Sequence, residues 1–261
     1  MRYVNELALV LGAAFLFTAC SPSDTTTQPN PPSTKTSPAP ATATATPVKP
    51  PSTSASPAPG ATKPAAKVDP TKLDERGYIR QWLLLAPIAF GDKYNAEDID
   101  KETIPGEAKF APKAGDKLKV SSEEGDPGAT KTVQKELTWK SVVTEDFFFD
   151  FNASFALESS DSCGGYAVAY LDAPEEIKGV TFSLSSNDDG LIYLNGKKIW
   201  SLVVGRALEE DSDTVKDLTL AKGTNVVVFK VWNDTNNWAG CIRLLDKNEK
   251  PITNVKVKSS K

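Results

Sequence analysis

The densest group of side chains able to grip a ligand is Trp232-Asn233-Asp234-Thr235-Asn236-Asn237-Trp238. Aromatic faces stack on the C–H faces of sugars, while Asn and Asp side chains supply donors and acceptors for hydroxyls. Trp232, Asn233, Asp234, Asn236, Asn237 and Trp238 are therefore candidate ligand-binding residues. The two tryptophans equally suit core positions at strand ends, with their N–H groups bonded locally. A second group is Asp188-Asp189, preceded by Asn187, whose oxygens suit a structural Ca2+. Calcium takes six to eight oxygens, so this pair would need help, for which Asp211 and Asp213 are at hand. A solvated acidic turn is the competing reading of the same residues.

Histidine is absent. That removes every Ser-His-Asp and Cys-His nucleophile, every His metal site and the commonest general base. Catalysis would fall to carboxylates, Lys or Tyr. Glycoside hydrolysis needs two carboxyls about 5–10 Å apart across a cleft. The acidic residues here fall mostly at turns and on solvent faces, so no catalytic residue is expected and the chain reads as non-enzymatic. The net charge is -4 and the pI about 5.1. With no Lys/Arg cluster the sequence lacks the electrostatic footprint of a nucleic-acid binder.

The elements that must position these groups begin only after a long leader. Arg2 is followed by an apolar run from Leu7 to Phe17. It has signal-peptide length, too short for a permanent membrane helix. The run ends in Phe17-Thr18-Ala19-Cys20, which resembles a bacterial lipobox. That resemblance implies an acylated Cys20 as the mature N-terminus, anchoring the chain to the membrane through lipid. Residues 21–68 are almost entirely Ser, Thr, Pro and Ala with a few Lys, and contain no aromatic residue. Such a composition cannot bury enough apolar surface to offset its ordering entropy, and reads as a disordered linker. At about 3.1 Å per residue it could reach roughly 100 Å. The expected organisation is a signal peptide over 1–19, a lipid-anchored linker over 20–70 and one domain over 71–261. The expected location is the bacterial cell envelope, at the outer membrane or cell surface. With Cys20 committed to lipid, Cys163 and Cys241 form an even pair in an oxidising compartment. A Cys163–Cys241 disulfide is expected, closing a loop of roughly 80 residues and contributing up to about 4 kcal/mol. Two buried free thiols are the alternative.

From Tyr78 onward short apolar runs alternate with turn signals. Trp82 to Ala86 reads as a strand stopped by Pro87. Residues 91–130, rich in Gly, Pro, Lys and Asp, read as an irregular excursion. Leu137 to Lys140 and Asp146 to Phe151 open the dense β region. Strands are expected at Tyr166–Leu171 and Val180–Leu184, the latter alternating apolar and polar as a half-buried strand does. Leu191–Leu194 and Lys197–Trp200 flank Asn195-Gly196, the pair favoured in a type I′ hairpin turn. Further strands are expected at Val226–Trp232, Cys241–Leu245 and Ile252–Val257. No helical period is evident, so the fold class is all-β, a sandwich or barrel.

Several of these segments share a family pattern. Ser186-Asn187-Asp188-Asp189-Gly190-Leu191-Ile192-Tyr193-Leu194-Asn195-Gly196-Lys197 resembles the DDG…LNGK hairpin of galactose-binding-domain-like jelly rolls of the PA14 and carbohydrate-binding-module type. Residues 217–231 and 238–246 resemble two later strands of that group. Trp82–Pro87 and Trp139-Lys140 resemble segments that precede such modules. The resemblance implies a jelly-roll β-sandwich over roughly 78–250. Taken with the lipobox, the linker and the Trp/Asn loop, it leads to the expectation of a surface-anchored, non-catalytic module that contacts carbohydrate or peptidoglycan; some such modules carry a structural calcium. The fold also hosts protein binders, so an envelope scaffold or protein-interaction role stands as the alternative.

Overall fold

The computed structural model describes residues 68–157 and 160–261. The expected signal peptide, the linker as far as residue 67, and Cys20 lie outside these residues. Two antiparallel sheets form a sandwich. The larger contains β1 (Gln81–Ala89), β4 (Lys140–Val143), β6 (Cys163–Ala173), β8 (Asp189–Leu194), β9 (Lys197–Leu202), β11 (Gly223–Asn233) and β13 (Lys256–Lys258). Its order is β4-β1-β6-β11-β8-β9, with β13 added to β6. The smaller contains β5 (Phe149–Asp150), β7 (Ile177–Asn187), β10 (Asp213–Leu220) and β12 (Ala239–Leu245), in the order β10-β7-β12-β5. A separate hairpin pairs β2 (Lys117–Glu124) with β3 (Lys131–Thr138). Among the described residues the fold is all-β: the patterning leaves sandwich or barrel open, and the two sheets form the β-sandwich that the jelly-roll resemblance implies.

Period-2 alternation decides which side chains meet between the sheets. On β7, Val180, Phe182 and Leu184 face the core; on β12, Ile242 and Leu244 do; on β11, Val227, Phe229 and Val231 do. Fully burying one such side chain contributes about 1.5–3 kcal/mol. Gly240 lies where a Cβ would stand 2.6 Å from Phe149 and 2.9 Å from Phe229, so only glycine lets the two rings close over β12. The Asn195-Gly196 turn forms as the sequence dictates, with φ of 53° and 82°.

The opposite face of the larger sheet is also covered. Its outward residues, among them Leu83, Leu85, Tyr166, Val168 and Val228, pack against Ile104, Val120 and Trp139 from the excursion and the hairpin. Residues 90–116 therefore act as a strap, built of three 3-10 turns at Gly91–Lys93, Ala96–Asp100 and Glu107–Lys109.

Apart from the last strand, where only β13 forms in place of the expected Ile252–Val257, the structure differs from expectation in four local respects. The first strand does not stop at Pro87. It continues to Ala89 through a register shift between Leu85 and Ile88, where an irregularity spares the missing N–H. The excursion contains a full strand, β2, ending at Glu124. The Asp146–Phe151 run supplies only the two-residue β5, after which α1 (Phe151–Phe155) begins, because the Asp150 side chain caps it by accepting from the Ala153 N–H.

The fourth concerns the thiols. Cys163 and Cys241 are both buried and free, and the expected disulfide is absent. Cys163 faces the inter-sheet core. On β12 it is Gly240 and Ile242 that point inward, so Cys241 points to the other face, where Asp211, Arg206 and Arg243 are its charged neighbours. Cys163 points from the larger sheet into the core while Cys241 points out of the far face of the smaller sheet, so the two side chains do not meet and cannot bridge.

Candidate functional site

β11 and β12 deliver the tryptophan loop, and their alternation fixes where each ring goes. Trp238 enters the core, fully buried and stacked on Phe151 at 4.2 Å between centroids, with its N–H donating to Asn152 Oδ1 at 2.9 Å. Trp232 leaves β11 on the opposite face and lies under the strap, 5 % exposed, against Phe90 at 4.5 Å. Neither ring offers a face to solvent. Both tryptophans therefore take the core role that their strand-end positions allow, and the expectation that they stack on sugar is corrected. Asn233 is also buried; its Nδ2 donates to the Ser160 carbonyl at 2.7 Å while its Oδ1 has no partner. Asp234, Thr235, Asn236 and Asn237 form an exposed polar crest without an aromatic floor. The crest is tied down from below: Asn236 N–H donates to Asp161, and Asn152 Nδ2 reaches Asn237 Oδ1.

Asp188 and Asp189 hold chain rather than metal. Asp188 accepts from the backbone N–H of Arg206 at 3.1 Å and of Asp234 at 3.1 Å. Asp189 accepts from Val204 N–H at 2.7 Å and from Tyr94 hydroxyl at 3.0 Å. All four oxygens are thus engaged by protein donors. Among the described residues no three carboxylates or thiols converge on a position that would hold a metal ion. The pair does not fit calcium, which needs several converging oxygens. Asp211 and Asp213, the expected helpers, are instead paired with Arg243 and Arg206. Burial raises the Asp189 carboxyl above its ordinary value, with Asp188 and Asp234 adding repulsion against the hydrogen bonds that lower it.

Sequence reasoning missed the most deeply buried charges. Lys230 on β11 and Glu107 in the strap are 0 % and 1 % exposed, and Lys230 Nζ lies 3.0 Å from Glu107 Oε1. Nζ also donates to the carbonyls of Ile99 at 3.0 Å and Lys101 at 2.8 Å. Glu107 Oε2 accepts from Tyr166 hydroxyl at 2.5 Å and from the Thr103 N–H at 2.9 Å. Burial pulls the Lys230 ammonium below its ordinary value, while Glu107 acts in the opposite direction. In this network the Lys230 ammonium and the Glu107 carboxylate both spend their polar atoms on protein partners. Its chemistry is that of a clamp. The only sequence signal is the alternation of β11, which places Lys230 on the same face as Val228 and Trp232.

The open concavities lie elsewhere. One of 610 Å3 mixes Asp69, Asp74 and Glu75 with Arg76 and Arg80. A larger one, 840 Å3, lies between the start of β1 and the segment 253–261. It contains Lys72, Lys256, Lys258 and Lys261, and no Asp or Glu side chain lines it.

No family model matches the chain, and no curated protein does. Among solved structures it is similar to the PA14 domain of the MpAFP antifreeze protein. Identity is 11 % and the TM-score 0.33, over 74 % of this chain and 96 % of that one. The strand pairings themselves, not this likeness, establish the sandwich.

Proposed function

We propose that this chain is a non-catalytic binding protein of the bacterial cell envelope, lipid-anchored through Cys20, whose sandwich contacts carbohydrate or peptidoglycan. The observation that supports the non-catalytic part is the occupation of three buried carboxylates, while a fourth, Glu123, holds Lys93 and Thr132 through Oε1 and leaves Oε2 without a partner. Asp188, Asp189 and Glu107 each spend their oxygens on backbone N–H groups, Tyr hydroxyls or Lys230. General acid–base chemistry needs a carboxyl aimed at a substrate proton. Binding, by contrast, requires only the open polar concavities described above. The lipobox and the Pro/Thr/Ser/Ala linker support presentation at the envelope, outside the described residues.

A second reading, an envelope scaffold that docks a protein, is favoured by one observation. The two tryptophans that would have marked a sugar platform are both in the interior. Two measurements separate the readings. Radiolabelled palmitate is expected to enter the wild-type protein and not the Cys20→Ser variant; equal labelling of both would remove the anchor. The purified protein is expected to co-sediment with peptidoglycan sacculi or insoluble polysaccharide. Failure to sediment with any glycan, together with in-cell crosslinking to one envelope protein, would decide for the scaffold.

A further inference from the structure

The 840 Å3 cavity inverts the charge of the molecule that carries it. The chain has a net charge of -4, yet four lysines and no carboxylate side chain line this concavity. The backbone explains how they come together. Lys72 and Lys256 are direct partners in an antiparallel bridge, and Val257 N–H donates to the Thr71 carbonyl at 2.8 Å. Val255 and Val257 turn inward and are buried, so the alternation leaves Lys256 and Lys258 on the outside. Like charges directly opposite one another across strands are destabilising. Here the opposition is only partly relieved. Lys72 has an exposed partner in Asp69 at 3.5 Å and Lys258 has Asp172 at 3.0 Å. Lys256 and Lys261 have no carboxylate partner among the described residues.

The same cavity is lined by neutral donors and acceptors: the hydroxyls of Thr71, Thr253 and Ser259 and the amides of Gln81 and Asn254. Ammonium groups together with hydroxyls and amides match a ligand that carries both anionic groups and hydroxyls. We propose that this cavity binds an acidic glycan, a sugar chain bearing carboxylate or phosphate groups. The proposal rests on the glycan-binding reading above and names its ligand class and its site. A concave wall suits a discrete chain entering the cavity, whereas an anionic membrane would meet a convex row of lysines. The volume lies in the range of small-ligand sites, enough for a few sugar rings.

The test uses the intact purified protein and three probes: polygalacturonate, neutral dextran, and vesicles of phosphatidylglycerol and phosphatidylcholine in equal parts. Binding to polygalacturonate is expected, weakening as salt is raised because the contacts are ionic and exposed. Lys256→Glu and Lys72→Glu are each expected to weaken it about tenfold or more. Lys135→Glu, a charge reversal on β3 away from the cavity, is expected to leave it unchanged. These side chains lie at the surface, and thermal melts confirm that each variant is folded. Absence of polygalacturonate binding would overturn the proposal, as would equal weakening by Lys135→Glu or tighter binding to the vesicles. Binding to dextran or sacculi that ignores Lys256→Glu would remove this site while leaving the envelope-binding reading intact. Binding to no glycan at all would remove both.

Discussion

At the scale of single residues, burial decides what each candidate group is able to do. Cys163 and Cys241 illustrate this with a measurable sign. Burial pushes both thiols up to about 12 from an ordinary 9.0. The native state then keeps protons that the unfolded chain gives up. The stabilising contribution is whole below 9.0 and is lost as pH rises toward about 12. Urea unfolding across that alkaline window should show a steeper loss in the wild type than in a Cys163→Ala/Cys241→Ala variant. Alkylation without reductant should label both thiols only after denaturation; a native chain whose thiols resist labelling even when unfolded would mean that the bridge forms. Residue types were readable in advance, and their facing was not. Trp232 and Trp238 are expected from sequence to stack on sugar and Cys241 to form a disulfide, and the structure gives none of the three that role. One residue of alternation, visible only once the strand ends are known, sends each ring under a cover and turns Cys241 away from Cys163.

At the scale of elements, the strap over 90–116 is the part that sequence patterning could not have placed. It lacks a period, and its hold on the sheet comes from long-range polar contacts. Lys230 reaches from β11 to Ile99, Lys101 and Glu107, and Tyr170 hydroxyl donates to the Pro112 carbonyl at 2.7 Å. The hairpin of β8 and β9, by contrast, was legible because Asn195-Gly196 encodes its own positive φ angles locally. The clamp leads to a quantitative expectation. Lys230→Met or Glu107→Leu alone leaves one charge buried without its partner, costing about 3–5 kcal/mol. The double substitution should cost clearly less than the sum of the two, because it removes both desolvation penalties. Denaturant titrations of the four proteins measure the coupling. Additive losses would show that the pair does not act as a unit.

At the scale of the molecule, the strands and turns legible in the sequence specify a sandwich whose two sheets share one apolar core. The binding surface was less legible because it is assembled from the two ends of the described chain. Thr71 and Lys72 come from before β1, and residues 253–261 from the last strand and its flanks. Nothing in the local pattern of either segment announces that their backbones pair. The lysines at 256 and 258 read in isolation as the charged guards of an edge strand. The opposition of Lys256 to Lys72, in a cavity that no Asp or Glu side chain lines, gives them a second role.

Resonance mapping of the glycan contact tests that role most directly. Backbone amide shifts of the isotope-labelled protein, followed while polygalacturonate is added, are expected to move at Thr71, Lys72, Gln81 and residues 253–261, and to stay still at 234–237. Shifts confined to the Asp234–Asn237 crest, or no saturable shift anywhere, would contradict the account.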